Sequence, residues 1–168
     1  MKSLVNNIGK EPAILADLVT TACSILTTDN DDIVHWLFDL ELLDIFNGLM
    51  VSTCMLHVRR DILWGLSNLA CHSSEVIKTL VEHPIYKQVV NTLVSTDIGL
   101  RKEAIFIISN ILLDWKPANL VYNLIENDQQ MLKNYLRGLK LDSESVLMTI
   151  MRVIEKFCDY DSELNLHG

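Results

Sequence analysis

The sequence predicts an all-α protein built as a solenoid, a stack of helices that shares its core between neighbours. Three observations carry this. Hydrophobic residues make up 49% of the 168 residues, and Leu and Ile recur at helical spacing. Six glycines and three prolines leave little turn chemistry for many short strands. Most telling, one segment of the chain is repeated without a gap.

The repeated segment runs Arg59-Arg60-Asp61-Ile62-Leu63-Trp64-Gly65-Leu66-Ser67-Asn68-Leu69 and again Arg101-Lys102-Glu103-Ala104-Ile105-Phe106-Ile107-Ile108-Ser109-Asn110-Ile111, an offset of 42 residues. That period lies in the range of armadillo and HEAT units, about 40–47 residues. The spacing predicts a unit of short helix, helix and long helix. The first segment, Pro12 to Leu26, reads as the last helix of a truncated unit. Asp31 to Phe38 and Glu41 to Val51 then lead into the Arg59–Asn68 helix. A polar break at Cys71-His72-Ser73-Ser74 precedes Glu75 to Glu82, and Pro84 opens a helix reaching about Val94. Leu100 to Leu113 is the second long helix, set off by Ser95-Thr96-Asp97 and Gly99. Pro117 to Glu126, Gln129 to Leu139 and Ser143 to Phe157 complete the series. Thr28-Asp29-Asn30-Asp31, Ser95-Thr96-Asp97 and Asp142-Ser143 supply N-cap oxygens. The expected architecture is an armadillo-type right-handed superhelix of about three and a half repeats in one domain, 1–168. It divides into a partial repeat 1–29, repeats 30–72, 73–115 and 116–159, and a short tail 160–168. A long helix apolar on most sides, as Ile105, Phe106, Ile108, Ile111 and Leu112 make it, needs neighbours on several faces, which stacking provides.

Charge narrows the partners. A formal net charge of −8 disfavours nucleic acid, whose phosphates it repels, and favours basic partners. Cys23, Cys54, Cys71 and Cys158 sit in apolar helical contexts and read as small core residues of a reducing compartment. Cys71 and His72 are adjacent, about 100° apart on a helix, and do not converge on a metal. The other histidines are scattered. No metal, cofactor or catalytic role is expected: no nucleophile–base pair, phosphate loop or ligand cluster is read. The start, MKSLVNNIGKEP, lacks the apolar stretch of a signal peptide. The longest nearly apolar run, Ala104 to Leu113, is far short of the roughly 20 residues that cross a bilayer. The expectation is a soluble protein of the cytoplasm and nucleus with no membrane partner.

Trp64-Gly-Leu-Ser-Asn68 and Arg101-Lys-Glu-Ala-Ile-Phe-Ile-Ile-Ser-Asn110 resemble the third helix of an importin-α armadillo repeat. That family carries an aromatic, usually Trp, four residues before Asn. Residues i and i+4 share a helix face, so Trp64 projects with Asn68 and Phe106 with Asn110. The resemblance implies a concave peptide-binding groove made by these residues. In it the Asn amides hold the backbone of an extended peptide, the rings flank Lys or Arg stems, and acidic groups meet the charged ends. Asp114, four residues after Asn110, matches the family's acidic position, whereas the place after Asn68 holds His72. Peptide-binding residues are therefore Trp64, Asn68, Phe106, Asn110 and Asp114. Packed helices lie about 8–10 Å apart and an extended chain advances about 3.3–3.6 Å per residue, so successive Asn residues match every two to three peptide residues.

Phe106 stands where the family has Trp, Thr20 and Ser24 fill the aligned places of the first unit, and Arg152 and Ile154-Glu155-Lys156-Phe157 those of the last. Only two units keep the ladder. No basic amino-terminal segment of the importin-β-binding kind is read, so the chain reads as a fragment or a divergent relative. Two amide bonds, two cation–π contacts and one acidic pair sum to about 2–8 kcal/mol before the peptide is ordered, which gives weak binding. The resemblance implies an adaptor for basic nuclear localisation signals in nuclear import, with Lys/Arg-rich segments of cargo proteins and other transport factors as partners. The alternative is an armadillo scaffold for protein–protein or homo-oligomer assembly. In that reading the rings are core and the amides of Asn68 and Asn110 cap or cross-link neighbouring helices.

Overall fold

A computed structural model describes residues 12–165 except 53, 54 and 117. The described residues form ten α-helices, one 3₁₀ turn and no strand. A single helix, α1 (Pro12–Ile25), is followed by three sets of two short helices and a long one. The first set is α2 (Asp31–Asp39), α3 (Leu42–Ser52) and α4 (Leu56–Leu69); the second is α5 (Ser74–Glu82), α6 (Ile85–Thr92) and α7 (Ile98–Asp114). The third is α8 (Ala118–Asn127), α9 (Gln129–Leu136) with its 3₁₀ extension Arg137–Lys140, and α10 (Glu144–Asn165).

Local chemistry sets these starts. The side chain of Asn30 accepts from the amide of Asp32, Ser73 from Val76, Asp97 from Leu100 and Asp128 from Met131, each satisfying a donor left open at a helix N-terminus. Asn30 is therefore the cap of α2, which leaves Asp31 free for other work. Asp97 starts α7 two residues before the expected Leu100, so Gly99 lies inside the helix. A Cβ there would come within 2.7 Å of the Arg60 guanidinium.

The long helices α1, α4, α7 and α10 form one layer, each packed on the next, while α3 packs against α6 and α2 against α5. Their shared core is continuous. It includes Val19, Cys23 and Leu26 of the first helix, Ile62, Leu63 and Leu66 of α4, and Ile105, Ile108 and Ile111 of α7. Gly65 lets α1 and α4 close together, since a Cβ there would meet the Cys23 sulfur at 2.7 Å. The repeat is visible in the polar contacts as well. Thr20 Oγ1 donates to Asp61 Oδ2 across 41 residues, Asn110 Nδ2 to the Ser67 carbonyl across 43, and the Lys116 amide to Ser74 Oγ across 42. Arg59 and Arg101, one period apart, each bury a side-chain Nε with no hydrogen-bond partner among the described residues.

Two cysteines depart from expectation. Cys23 is buried, but Cys71 and Cys158 are exposed. For Cys71 the reason is that α4 ends at Leu69, so the thiol sits on the turn and not on the helix. Cys54 lies outside the described residues. No described helix is long and apolar enough to cross a membrane.

Candidate functional site

The C-terminal ends of α1 and α4 leave between them a cavity of about 390 Å³. Leu26, Thr27, Thr28 and Asp29, which follow α1, form one wall. Asn68 in the last turn of α4, with Cys71, His72 and Ser73 after it, forms the other, and Asp31 at the start of α2 closes the base. Apart from Leu26 and the Cys71 thiol the lining is polar, and its two carboxylates make it acidic.

His72 Nδ1 lies 2.8 Å from Asp31 Oδ1, with the imidazole side chain only 8% exposed and the carboxylate about a third. Hydrogen bonds from the Ser73 hydroxyl and then from His72 hold the Asp31 carboxyl below its ordinary pKa. Asp31 also sits in the first turn of α2, where the helix dipole favours negative charge. It is thus a positioned anion. His72, which sequence reasoning passed over as lacking charge, instead orients the carboxylate that opens α2.

Asn68 is half-buried, and its amide nitrogen is sealed from solvent with no hydrogen-bond partner among the described residues. An orphaned buried donor costs about 1–3 kcal/mol, so its position is unfavourable until something satisfies it. One turn earlier Trp64 is 39% exposed, an unusual state for an indole on a packed helix.

The other sequence-derived residues lie differently. Phe106 is half-buried and packs against the core. Asn110 is half-buried, and its amide nitrogen is engaged within the chain, 3.0 Å from the Ser67 carbonyl oxygen. Asp114, the last residue of α7, is exposed. Beside it Lys156 of α10 donates to the carbonyl oxygens of Leu113 and Leu112. The structure therefore puts Asn68 in the cavity wall with Trp64 exposed one turn before it, outside the lining, gives Asn110 an intramolecular partner and leaves Asp114 exposed beside Lys156.

No protein-family model matches the sequence, and no curated protein matches it. Solved structures do. The chain is similar to computationally designed armadillo repeat proteins for modular peptide recognition, with TM-score 0.72 and 18% identity over 84% of this chain and 57% of that one. It is similar to a designed armadillo repeat protein in complex with the peptide (KR)4, with TM-score 0.67 and 20% identity over 86% of this chain and 64% of that one. An engineered protein gives TM-score 0.73 at 20% identity, over 89% of this chain and 35% of that one. The fold is that of an armadillo-repeat solenoid. This chain spans under two thirds of the length of each of these structures.

Proposed function

We propose that the chain binds extended, basic peptide segments across the ends of its long helices, with the Asp31–Asn68 cavity as the principal subsite. The observation that carries this is the lining of that cavity: an acidic group, Asp31, held in place by Ser73 and His72, beside an Asn68 amide nitrogen that has no acceptor among the described residues. A peptide residue with a Lys or Arg side chain meets both. Its cationic end faces Asp31 and Asp29. Its backbone carbonyl accepts from the Asn68 nitrogen once rotation about χ2 turns that nitrogen out of its sealed position and Oδ1 into it. Trp64 adds an indole face for the aliphatic stem and cation–π attraction of about 0.5–1 kcal/mol. The (KR)4 complex of the designed relative supports the chemistry. The importin-α-like signature of Trp64 and Asn68 supports the biological reading, an adaptor for nuclear localisation signals that moves between cytoplasm and nucleus. Titrating the protein with an alternating Lys–Arg octapeptide while following Trp64 fluorescence tests this. Saturable binding in the high-micromolar range is expected, and no saturable change at millimolar peptide would overturn the reading.

A second reading, assembly, rests on its own observation. The first and last long helices each expose an apolar stripe, Ile14, Leu18 and Ile25 on α1 and Leu147, Met148 and Met151 on α10. In a repeat stack such faces are covered by further units. Sedimentation across a concentration series separates the readings: a persistent oligomer with no peptide response favours the scaffold.

A further inference from the structure

The cavity lies at the first junction between long helices, α1 with α4. The corresponding third junction, α7 with α10, is filled from within. Lys156 projects from α10 onto the end of α7, where its ammonium donates to the Leu113 carbonyl oxygen and reaches the Leu112 carbonyl oxygen at 3.4 Å. These are last-turn carbonyls with no intrahelical donor, the natural seat for a cation at a helix C-terminus. Asp114 follows them directly. Burial lowers the Lys156 pKa, Asp114 acts to raise it, and Lys116 lowers it further.

Resting on the peptide reading above, we infer that Lys156 is a specificity-determining residue: it occupies the third junction in cis, as a basic side chain of a bound peptide occupies the first. The chain thereby ends its own binding track. Long helices about 8–10 Å apart put the first and third junctions about 16–20 Å apart, which an extended peptide covers in about five to six residues. A peptide of four residues reaches from the first junction to the second. One of eight would reach the third, and gains nothing there while Lys156 is in place. Exposed Asp114, which the sequence pattern assigns to a ligand, is on this view committed to the chain's own lysine.

The test uses alternating Lys–Arg peptides of four and eight residues against the wild-type chain, Lys156→Gln and Lys116→Gln. The wild type is expected to bind both lengths within about twofold. Lys156→Gln should bind the longer peptide about five- to tenfold more tightly than the shorter. Lys116→Gln, with the same change of charge, should keep the wild-type ratio. Equal affinity for the two lengths in Lys156→Gln, or the same gain in Lys116→Gln, overturns the inference and leaves the first-junction site standing. Binding of neither peptide by any of the proteins overturns both.

Discussion

The side-chain nitrogen of Asn110 sits 3.0 Å from the carbonyl oxygen of Ser67, the residue just before Asn68. Two asparagines in the same place in successive repeats thus have different employments. One joins its helix to the preceding one, and the other has a buried nitrogen without a partner. This contrast divides the consequences of mutating them.

Asn110→Ala should destabilise the fold by about 1–2 kcal/mol, because the Ser67 carbonyl loses a donor inside a packed seam. Peptide affinity should stay within about twofold. Urea denaturation and the fluorescence titration, run on the same protein, check both halves. A large loss of affinity without loss of stability would return Asn110 to the ligand.

Asp31→Asn should weaken a Lys–Arg peptide about fivefold, the effect of a partly exposed ion pair near 1 kcal/mol. Asn68→Ala should weaken it too, while leaving stability unchanged or improved, since it deletes an unsatisfied buried donor. Equal peptide affinity in wild type and both variants would remove the cavity from the site.

Ser109 and Tyr135 form a second buried polar pair, 2.8 Å apart, between α7 and α9. Ser109 also donates to the Ile105 carbonyl, so the tyrosine hydroxyl is the donor to Ser109. Ser109→Ala should cost about 1–3 kcal/mol by stranding that hydroxyl in a site with no access to water. Adding Tyr135→Phe should recover part of the loss. Additive losses in thermal or urea unfolding would show that the pair is not coupled.

Alkaline pH should unfold the chain early. Burial pushes the Cys23 thiol from 9.0 up to about 12, and burial likewise raises Tyr135 from 10.0 to about 12. Each folded-state pKa is raised. Between pH 9 and about 12 the unfolded chain therefore releases protons that the folded chain retains. Stability present below pH 9 is lost as pH rises, by about 1.4 kcal/mol per pH unit for each group once its unfolded form has titrated. Urea midpoints at pH 7, 9 and 10.5 measure this, and Cys23→Ala should flatten the slope by one proton. An unchanged slope would mean that the thiol is not the source.

Much of the architecture was legible because tandem repetition is redundant. The Trp64/Asn68 and Phe106/Asn110 segments report the same helix twice, the polar break at Ser73 opens a unit, and the one at Asp97 opens its long helix. The cavity was less legible. Asp31 and His72 meet across 41 residues, and Asp31 reads as one of four equivalent capping residues until the structure gives that role to Asn30. Lys156 registers in the sequence only as a missing asparagine. A pattern marks the departure but carries no information about where a four-carbon stem reaches back to. Cys71 reads as core because the helical pattern runs past the point where the helix stops.

The seam at Gly65 has a practical consequence. Cys23 is 0% exposed beneath it, whereas Cys71 is open to solvent. Local opening of one packed seam costs less than unfolding the whole stack, so α1 and α4 should part at times while the rest stays folded. A thiol reagent would reach Cys71 in the folded chain, more slowly than a free thiol because burial raises its pKa, and Cys23 only when α1 parts from α4, so the lag between the two labels clocks how often that seam opens.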